Sequence, residues 1–136
     1  MRRLFADAFY WIALLHAADQ WHRRVIAFTE TLTTHHLYTT DAVLDEYLAT
    51  YSARESYLRQ RAALPIHRLL ASPDVTVIPQ TRELFLAGLT LYEARPDKEY
   101  SLTDCMSMQV MRREGLTDVL TNDRHFTQEG FHILFP

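Results

Sequence analysis

Ser101-Leu102-Thr103-Asp104-Cys105, then Gly115, then Val119-Leu120-Thr121-Asn122-Asp123 form the stretch that decides the fold. A serine three residues ahead of an acid makes a capping box, so a helix is predicted from this point to Glu114, with Gly115 as its C-terminal stop. Val119-Leu120-Thr121 is apolar and β-branched at the length of a buried strand, and Asn122-Asp123 begins another helical turn. Gly130 then precedes a last strand, Phe131-His132-Ile133-Leu134. Helix into strand, and strand back into helix, is the alternation of an α/β fold.

Upstream the same alternation repeats. Leu4-Phe5-Ala6 reads as a short buried strand that stops at Asp7, and Ala8 to Leu15 has the apolar density of a packed helix. Asp19 is placed to cap a second helix running to about Thr33, in which Trp21, Val25 and Phe28 keep the helical period. Leu37-Tyr38-Thr39 is the next strand, and Thr40 or Asp41 caps the helix behind it, whose core stripe is Leu44, Tyr47, Leu48 and Tyr51 with Glu46 at its border. Arg54 to Leu64 and Ile66 to Ala71 form one or two further helices, with a break or kink expected at Pro65 because proline has no amide donor. Ser72-Pro73-Asp74 turns the chain into the strand Val75-Thr76-Val77-Ile78. Gln80 to Glu93 returns to helical period, and Arg95 to Tyr100 is the most loop-like segment of the chain. The sum is a mainly parallel sheet of four to five strands with helices on both faces, in a single domain spanning residues 1–136.

Composition sets the outer bounds. At 136 residues, 48% hydrophobic and 12% aromatic, the chain can bury one core, and no shift in composition marks a second domain. The net charge is −3, yet Lys98 is the only lysine and every other fixed cation is an arginine, whose planar fork suits phosphate; an RNA partner is therefore not excluded. Cys105 is the only cysteine, which rules out an internal disulfide and a cysteine-based zinc site and fits a reducing, cytoplasmic setting. Met1-Arg2-Arg3 with the apolar stretch behind it mimics a signal peptide, but Asp7 interrupts that stretch, and no segment approaches membrane length.

Four acids, Asp7, Glu46, Asp104 and Asp123, each fall at a strand end or in the opening turns of a helix. In an α/β fold such positions meet along one edge of the sheet, at the carboxyl ends of its strands. Each acid taken singly has an ordinary explanation as a cap, a turn residue or a solvated charge. Gathered, they would repel one another unless a divalent cation sat among them, and oxygen-only ligation is what Mg2+ or Mn2+ prefers.

The surroundings of these acids resemble the PIN-domain nucleases, in particular the VapC-type ribonuclease toxins, over nearly the whole chain. Phe5-Ala6-Asp7 through Leu15 is similar to that family's opening strand, acid and first helix. Asp19 with His22 is similar to its Asp-x-x-His, and Thr40 through Glu46 to its Thr-to-Glu segment. Ser101-Leu102-Thr103-Asp104-Cys105, Leu120-Thr121-Asn122-Asp123-Arg124-His125-Phe126 and Gly130-Phe131 carry the most specific part of the likeness. The resemblance implies a three-layer α/β/α fold and a Mg2+- or Mn2+-dependent endoribonuclease acting on single-stranded or loop RNA, with Asp7, Glu46, Asp104 and Asp123 as metal-binding acids. It also implies a cognate antitoxin protein and a homodimer. One departure is Ala8, where many relatives carry a hydroxyl residue directly after the first acid; Thr121 is a candidate to supply the missing hydrogen bond. Trp21 and Tyr51 are candidates for an interface as well as for the core.

Phosphodiester hydrolysis requires an activated water and cover for charge on the phosphoryl oxygens, and one or two metal ions supply both. Asp7 and Asp104 are assigned as direct ligands, with Glu46 and Asp123 ligating directly or through water. Arg95, Lys98 and Arg124 are the nearest cations for substrate, and Tyr100, His125 and Phe126 are candidates either to stack on bases or to pack in the core. Asp97 is a candidate outer neighbour of the site. The seven histidines lack zinc-ligand spacing, and Cys105, beside Asp104 in an apolar helix, reads as a small hydrophobe. A receiver domain would carry an adjacent acidic pair after its first strand, and an aspartate-nucleophile phosphatase would carry Asp-x-Asp where this chain has Phe9. The reading from another class is a non-catalytic PIN-like module that binds RNA or protein, and metal-dependent cleavage separates the two.

Overall fold

The computed structural model describes residues 1–136. Five strands form one sheet in the order β3-β2-β1-β4-β5, and every neighbouring pair is parallel. They are β1 (Arg2–Ala6), β2 (His35–Thr40), β3 (Val75–Ile78), β4 (Asp118–Leu120) and β5 (His132–Ile133). Between them run α1 (Ala8–Leu15), α2 (His22–Thr31), α3 (Asp41–Ala49), α4 (Ser56–Ala71), α5 (Arg82–Ala94), α6 (Leu102–Glu114) and α7 (Arg124–Gln128).

Chain order reverses at β1. The connections β1 to β2 and β2 to β3 step one way, whereas β3 to β4 steps back past β1, so right-handed crossovers put their helices on opposite faces. Packing follows this division: α1 meets α2 and α3, and α3 meets α4, while α5 meets α6 and α6 meets α7. The result is the three-layer α/β/α arrangement expected from the sequence, and its sheet is wholly parallel. The core sits between these layers and includes Leu4, Phe5, Tyr10, Trp11, Met108 and Phe126 among its most buried members. Trp11 Nε1 donates to Thr39 Oγ1 at 3.2 Å, and Thr39 Oγ1 donates to the Ala6 carbonyl at 2.9 Å. This relay ties α1 to β1 and β2 just below the strand ends.

Local signals account for most boundaries. Thr40 caps α3 by accepting the Val43 amide at 3.0 Å, and Thr81 caps α5 by accepting the Leu84 amide at 3.0 Å. Ser101 and Asp104 form the complete capping box of α6, which ends at Gly115 with φ of 69°, where a side chain would be strained.

Several boundaries differ from the sequence reading. The segment 54–71, read as one or two helices, is one: α4 runs from Ser56 through Pro65 to Ala71. One proline removes one amide donor, and Ile66 and Leu69 beyond it pack against the core, so tertiary burial outweighs a local cost of about 3 kcal/mol. Tyr47 Oη also donates to the Ala62 carbonyl at 3.1 Å, on the turn before Pro65. Asp19 is not the cap residue of α2; it accepts the Trp21 amide at 2.9 Å and orders the turn ahead of the helix, which ends at Thr31. β2 begins at His35, while Thr121 lies beyond β4 and the last strand is reduced to His132–Ile133.

Candidate active site

Asp7 follows β1 directly, and Thr121, Asn122 and Asp123 follow β4 directly. These two strands pair through Phe5 with Val119 and Ala6 with Leu120, so the first acid and the last are brought to the same edge of the sheet. It is also the point where strand order reverses, the crevice position of open α/β sheets. Asp104 enters from the first turn of α6, and Glu46 from α3, which touches α6.

Asp7 and Asp104 are buried, Asp123 is half-buried and Glu46 is exposed. Burial pushes the Asp7 carboxyl up to about 7; the negative charges of Asp104 and Glu46 add to the rise, and a hydrogen bond from Thr121 opposes it. Burial likewise raises Asp104, helped by Asp123 and opposed by its hydrogen bonds with Ser101. Glu46 is exposed as a residue, but crowding at its carboxyl end raises it too, followed by the charges of Asp104, Asp123 and Asp45. Mutual electrostatic repulsion therefore links Asp7, Glu46, Asp104 and Asp123. All four sequence-selected acids lie in one field.

Thr121 connects two of them. Its hydroxyl donates to Asp7 Oδ2 at 2.9 Å and accepts the Asp123 amide at 3.2 Å. This is the hydrogen bond that Ala8 does not provide, reaching Asp7 from the neighbouring strand end. Asp104 Oδ2 accepts the Ser101 amide at 3.1 Å, so one carboxylate both completes the capping box and faces the acids.

His125, a candidate from the sequence either to stack on a base or to pack in the core, stands beside the acids. Its Nδ1 lies 3.3 Å from Asp123 Oδ1 and 3.5 Å from Asp104 Oδ2. One ligand atom from each of Asp104, Asp123 and His125 fits within a 4.8 Å span. The available signal was the two-residue offset from Asp123: the Asp123 side chain accepts the His125 amide at 2.9 Å in the first turn of α7.

The candidate substrate residues divide. Arg95 gives both Nε and Nη2 to the Glu129 carboxylate, at 3.0 and 3.1 Å, and Arg112 adds a contact of 2.7 Å. Glu129 also accepts the Tyr100 hydroxyl at 2.9 Å. The Arg95 fork is thus occupied by protein. Lys98 is 3.5 Å from Asp97, whose side chain is exposed. Arg95 and Lys98 share a surface cavity of about 240 Å³ with Tyr92 and Tyr100. Arg124 is exposed next to Asp123 and forms no salt bridge.

Tyr100 and Phe126 belong to the core, as does Tyr51, and Trp21 packs edge-on against Phe9 and Phe135. Apolar burial has claimed these aromatics. Cys105 is fully buried, and burial followed by the charge of Asp104 pushes its thiol up to about 11, consistent with its reading as a hydrophobe.

The sequence pattern of the family described as PIN domain matches residues 4–131. The chain is 28% identical over 136 residues to "23S rRNA-specific endonuclease VapC20" of Mycobacterium tuberculosis, covering 98% of each protein. The crystal structure of that organism's VapC20, described as a sarcin-ricin loop cleaving toxin, superposes with a TM-score of 0.82 at 26% identity, over 94% of this chain and 95% of that one. FitAcB from Neisseria gonorrhoeae shares the fold at a TM-score of 0.69 and 15% identity, over 96% and 95% of the two chains.

Proposed function

This chain belongs to the PIN-domain family, and on that footing we propose that it is a divalent-metal-dependent endoribonuclease, the toxin of a toxin-antitoxin pair. The observation that carries the reading is the convergence of Asp7, Glu46, Asp104 and Asp123 at the reversal point of the sheet, with the carboxyls of Asp7, Glu46 and Asp104 raised by crowding and by one another. Such a cluster costs free energy in a metal-free protein, and a cation offsets that cost.

The donor set fits Mg2+ or Mn2+. Carboxylate oxygens are hard ligands, and all four acids project from elements held by caps or sheet pairing. In this reading Asp7 and Asp104 ligate directly, with Asp123 and Glu46 completing the set directly or through water. When bound, the metal activates a water and stabilises charge on the phosphoryl oxygens. The chain's own part is positional. Thr121 fixes the Asp7 carboxylate, the capping box fixes Asp104, and burial of both excludes bulk water from one side of the site.

On the substrate side, Arg124 is the cation best placed to meet phosphate, because it is exposed, adjacent to Asp123 and free of carboxylate partners. Lys98 is a weaker contributor, since its pairing with Asp97 is exposed and easily exchanged. Arg95 acts only indirectly, through Glu129. We propose a loop of structured RNA as the target class, with ribosomal RNA as the first substrate to test, by likeness to the VapC20 relative. An antitoxin covering the acidic edge, a homodimer and a cytoplasmic setting complete the proposal. No helix is long and apolar enough to cross a membrane.

The decisive experiment incubates the purified chain with total RNA and Mg2+ or Mn2+ and maps the new ends. Discrete cuts are expected that vanish with chelator and in Asp7→Asn and Asp104→Asn. Cleavage by both variants at the wild-type rate would overturn the assignment, and metal-dependent binding without cleavage would favour the non-catalytic module.

A further inference from the structure

We propose that His125 is a nitrogen ligand of the metal held by Asp104 and Asp123, and that it turns this site's preference from Mg2+ toward Mn2+. The inference rests on the reading that the acidic cluster binds a divalent cation, and extends it to a residue outside the four acids.

The first ground is an atom without a partner. His125 Nδ1 is shut off from solvent and makes no hydrogen bond, although two carboxylates stand beside it. Buried polar atoms are nearly always satisfied, so an orphan facing two acids calls for a missing neighbour. The second ground is distance. Nδ1 is 3.3 Å from Asp123 Oδ1 and 3.5 Å from Asp104 Oδ2. Adjacent ligand atoms on one ion with bonds of about 2.1 Å stand about 3.0–3.4 Å apart, so these separations suit a shared cation.

The third ground is that the ring is held. Its own amide is bonded to the Asp123 side chain at 2.9 Å, which couples ring and carboxylate through the first turn of α7. The Tyr100 ring packs against the imidazole with centroids 5.4 Å apart, and the Tyr100 hydroxyl is anchored on Glu129. A ring supported on both sides needs little reorganisation to ligate.

The chemistry then sets the selectivity. Mg2+ favours an oxygen shell and keeps several waters, whereas imidazole nitrogen strengthens binding of transition ions. A site of carboxylates alone serves either ion. With one nitrogen added, Mn2+ gains and Mg2+ does not.

The test uses the full chain, with Mn2+ or Mg2+ as the only ligand, and does not depend on RNA cleavage. Electron spin echo spectra of bound Mn2+ should carry the modulation of a directly coordinated nitrogen in wild type and lose it in His125→Ala. Calorimetric titration should show His125→Ala weakening Mn2+ by about tenfold or more while changing Mg2+ less than about threefold. The wild-type spectrum decides the matter even if the variant folds poorly. Mn2+ bound with no nitrogen modulation overturns the role of His125 while leaving the acidic metal site intact. Binding of neither ion by wild type overturns both.

Discussion

Thr121 and Asp7, 114 residues apart in sequence, share a buried hydrogen bond of 2.9 Å, and the same Thr121 hydroxyl accepts the Asp123 amide. One side chain thereby fixes the spacing of the acids that end β1 and β4. Thr121→Val should lower metal affinity about 10- to 100-fold, and leaving two polar partners unpaired should cost about 1–3 kcal/mol. Thr121→Ser keeps the hydroxyl and should retain most of both. Mn2+ titration and thermal melting of the two variants check this, and equal behaviour of Val and Ser would count against the relay.

Asp7 carries a pH signature. Its carboxyl rises from 3.8 to about 7, so between those values the folded metal-free protein holds a proton that the unfolded chain has released. Stability contributed by this group therefore falls as pH climbs through that window and levels off above about 7. Asp7→Asn removes the effect. Metal-free Asp7→Asn should melt above wild type at about pH 8, by a few kcal/mol at most since one pKa unit is about 1.4 kcal/mol, and the gap should close toward about pH 4. Added Mn2+ should stabilise wild type and not the variant.

Asp104 serves fold and chemistry with the same carboxylate, and two substitutions separate the roles. Asparagine can still accept the Ser101 amide, so Asp104→Asn should melt close to wild type while RNA cleavage falls at least about a hundredfold. Asp104→Ala loses the cap as well and should cost about 1 kcal/mol more. Paired melting and cleavage assays distinguish these outcomes.

Glu129 is a fixed anion that joins the 95–100 loop to α6 and the end of α7. Burial alone would raise its carboxyl, but hydrogen bonds from Arg95, Arg112 and Tyr100 outweigh that and hold it at about 2. A lowered carboxyl contributes stability above its unfolded value of 4.5, and that stability is lost as pH falls through about 2. Glu129→Gln should cost about 1–2 kcal/mol at neutral pH, the arginines being partly exposed, and should flatten acid unfolding in that window. Urea melts at several pH values measure it.

Gly88, in the middle of α5, lies against α6 so closely that a Cβ there would stand 2.4 Å from Met106 Cγ, 3.2 Å from its amide nitrogen and 3.3 Å from its Cα. The contact is with backbone as well as side chain, so neither helix can yield cheaply. Gly88→Ala should destabilise by about 1–2 kcal/mol despite alanine's better helix propensity. A gain in melting temperature would show that the two helices can separate.

Residues whose structure depends on near neighbours were legible in the sequence. Ser101, Asp104 and Gly115 bound α6 through contacts within a few positions, and the period of Leu44, Tyr47 and Tyr51 marks the buried face of α3. The four acids were picked out by two signals, their places at strand ends or in early helix turns and the family-like motifs around them. What escaped depends on distant partners. Pro65 is carried through α4 by packing that no local rule contains, and the close approach of Gly88 to Met106 depends on two helices meeting. Arg95 looked available for phosphate because Glu129 lies 34 positions away, and the approach of His125 to Asp104 was hidden because the two are 21 positions apart.

The pairing of β1 with β4 also has a consequence for synthesis. Asp7 is made 114 positions before its hydrogen-bond partner Thr121, so the two meet only after the rest of the sheet between them has been synthesised. Without β4, Asp7 lacks the Thr121 hydroxyl that holds its carboxylate, although β1 still has β2 beside it. Assembly of the acidic edge therefore waits on the docking of β4 against β1, the strand pair joined over the greatest length of chain.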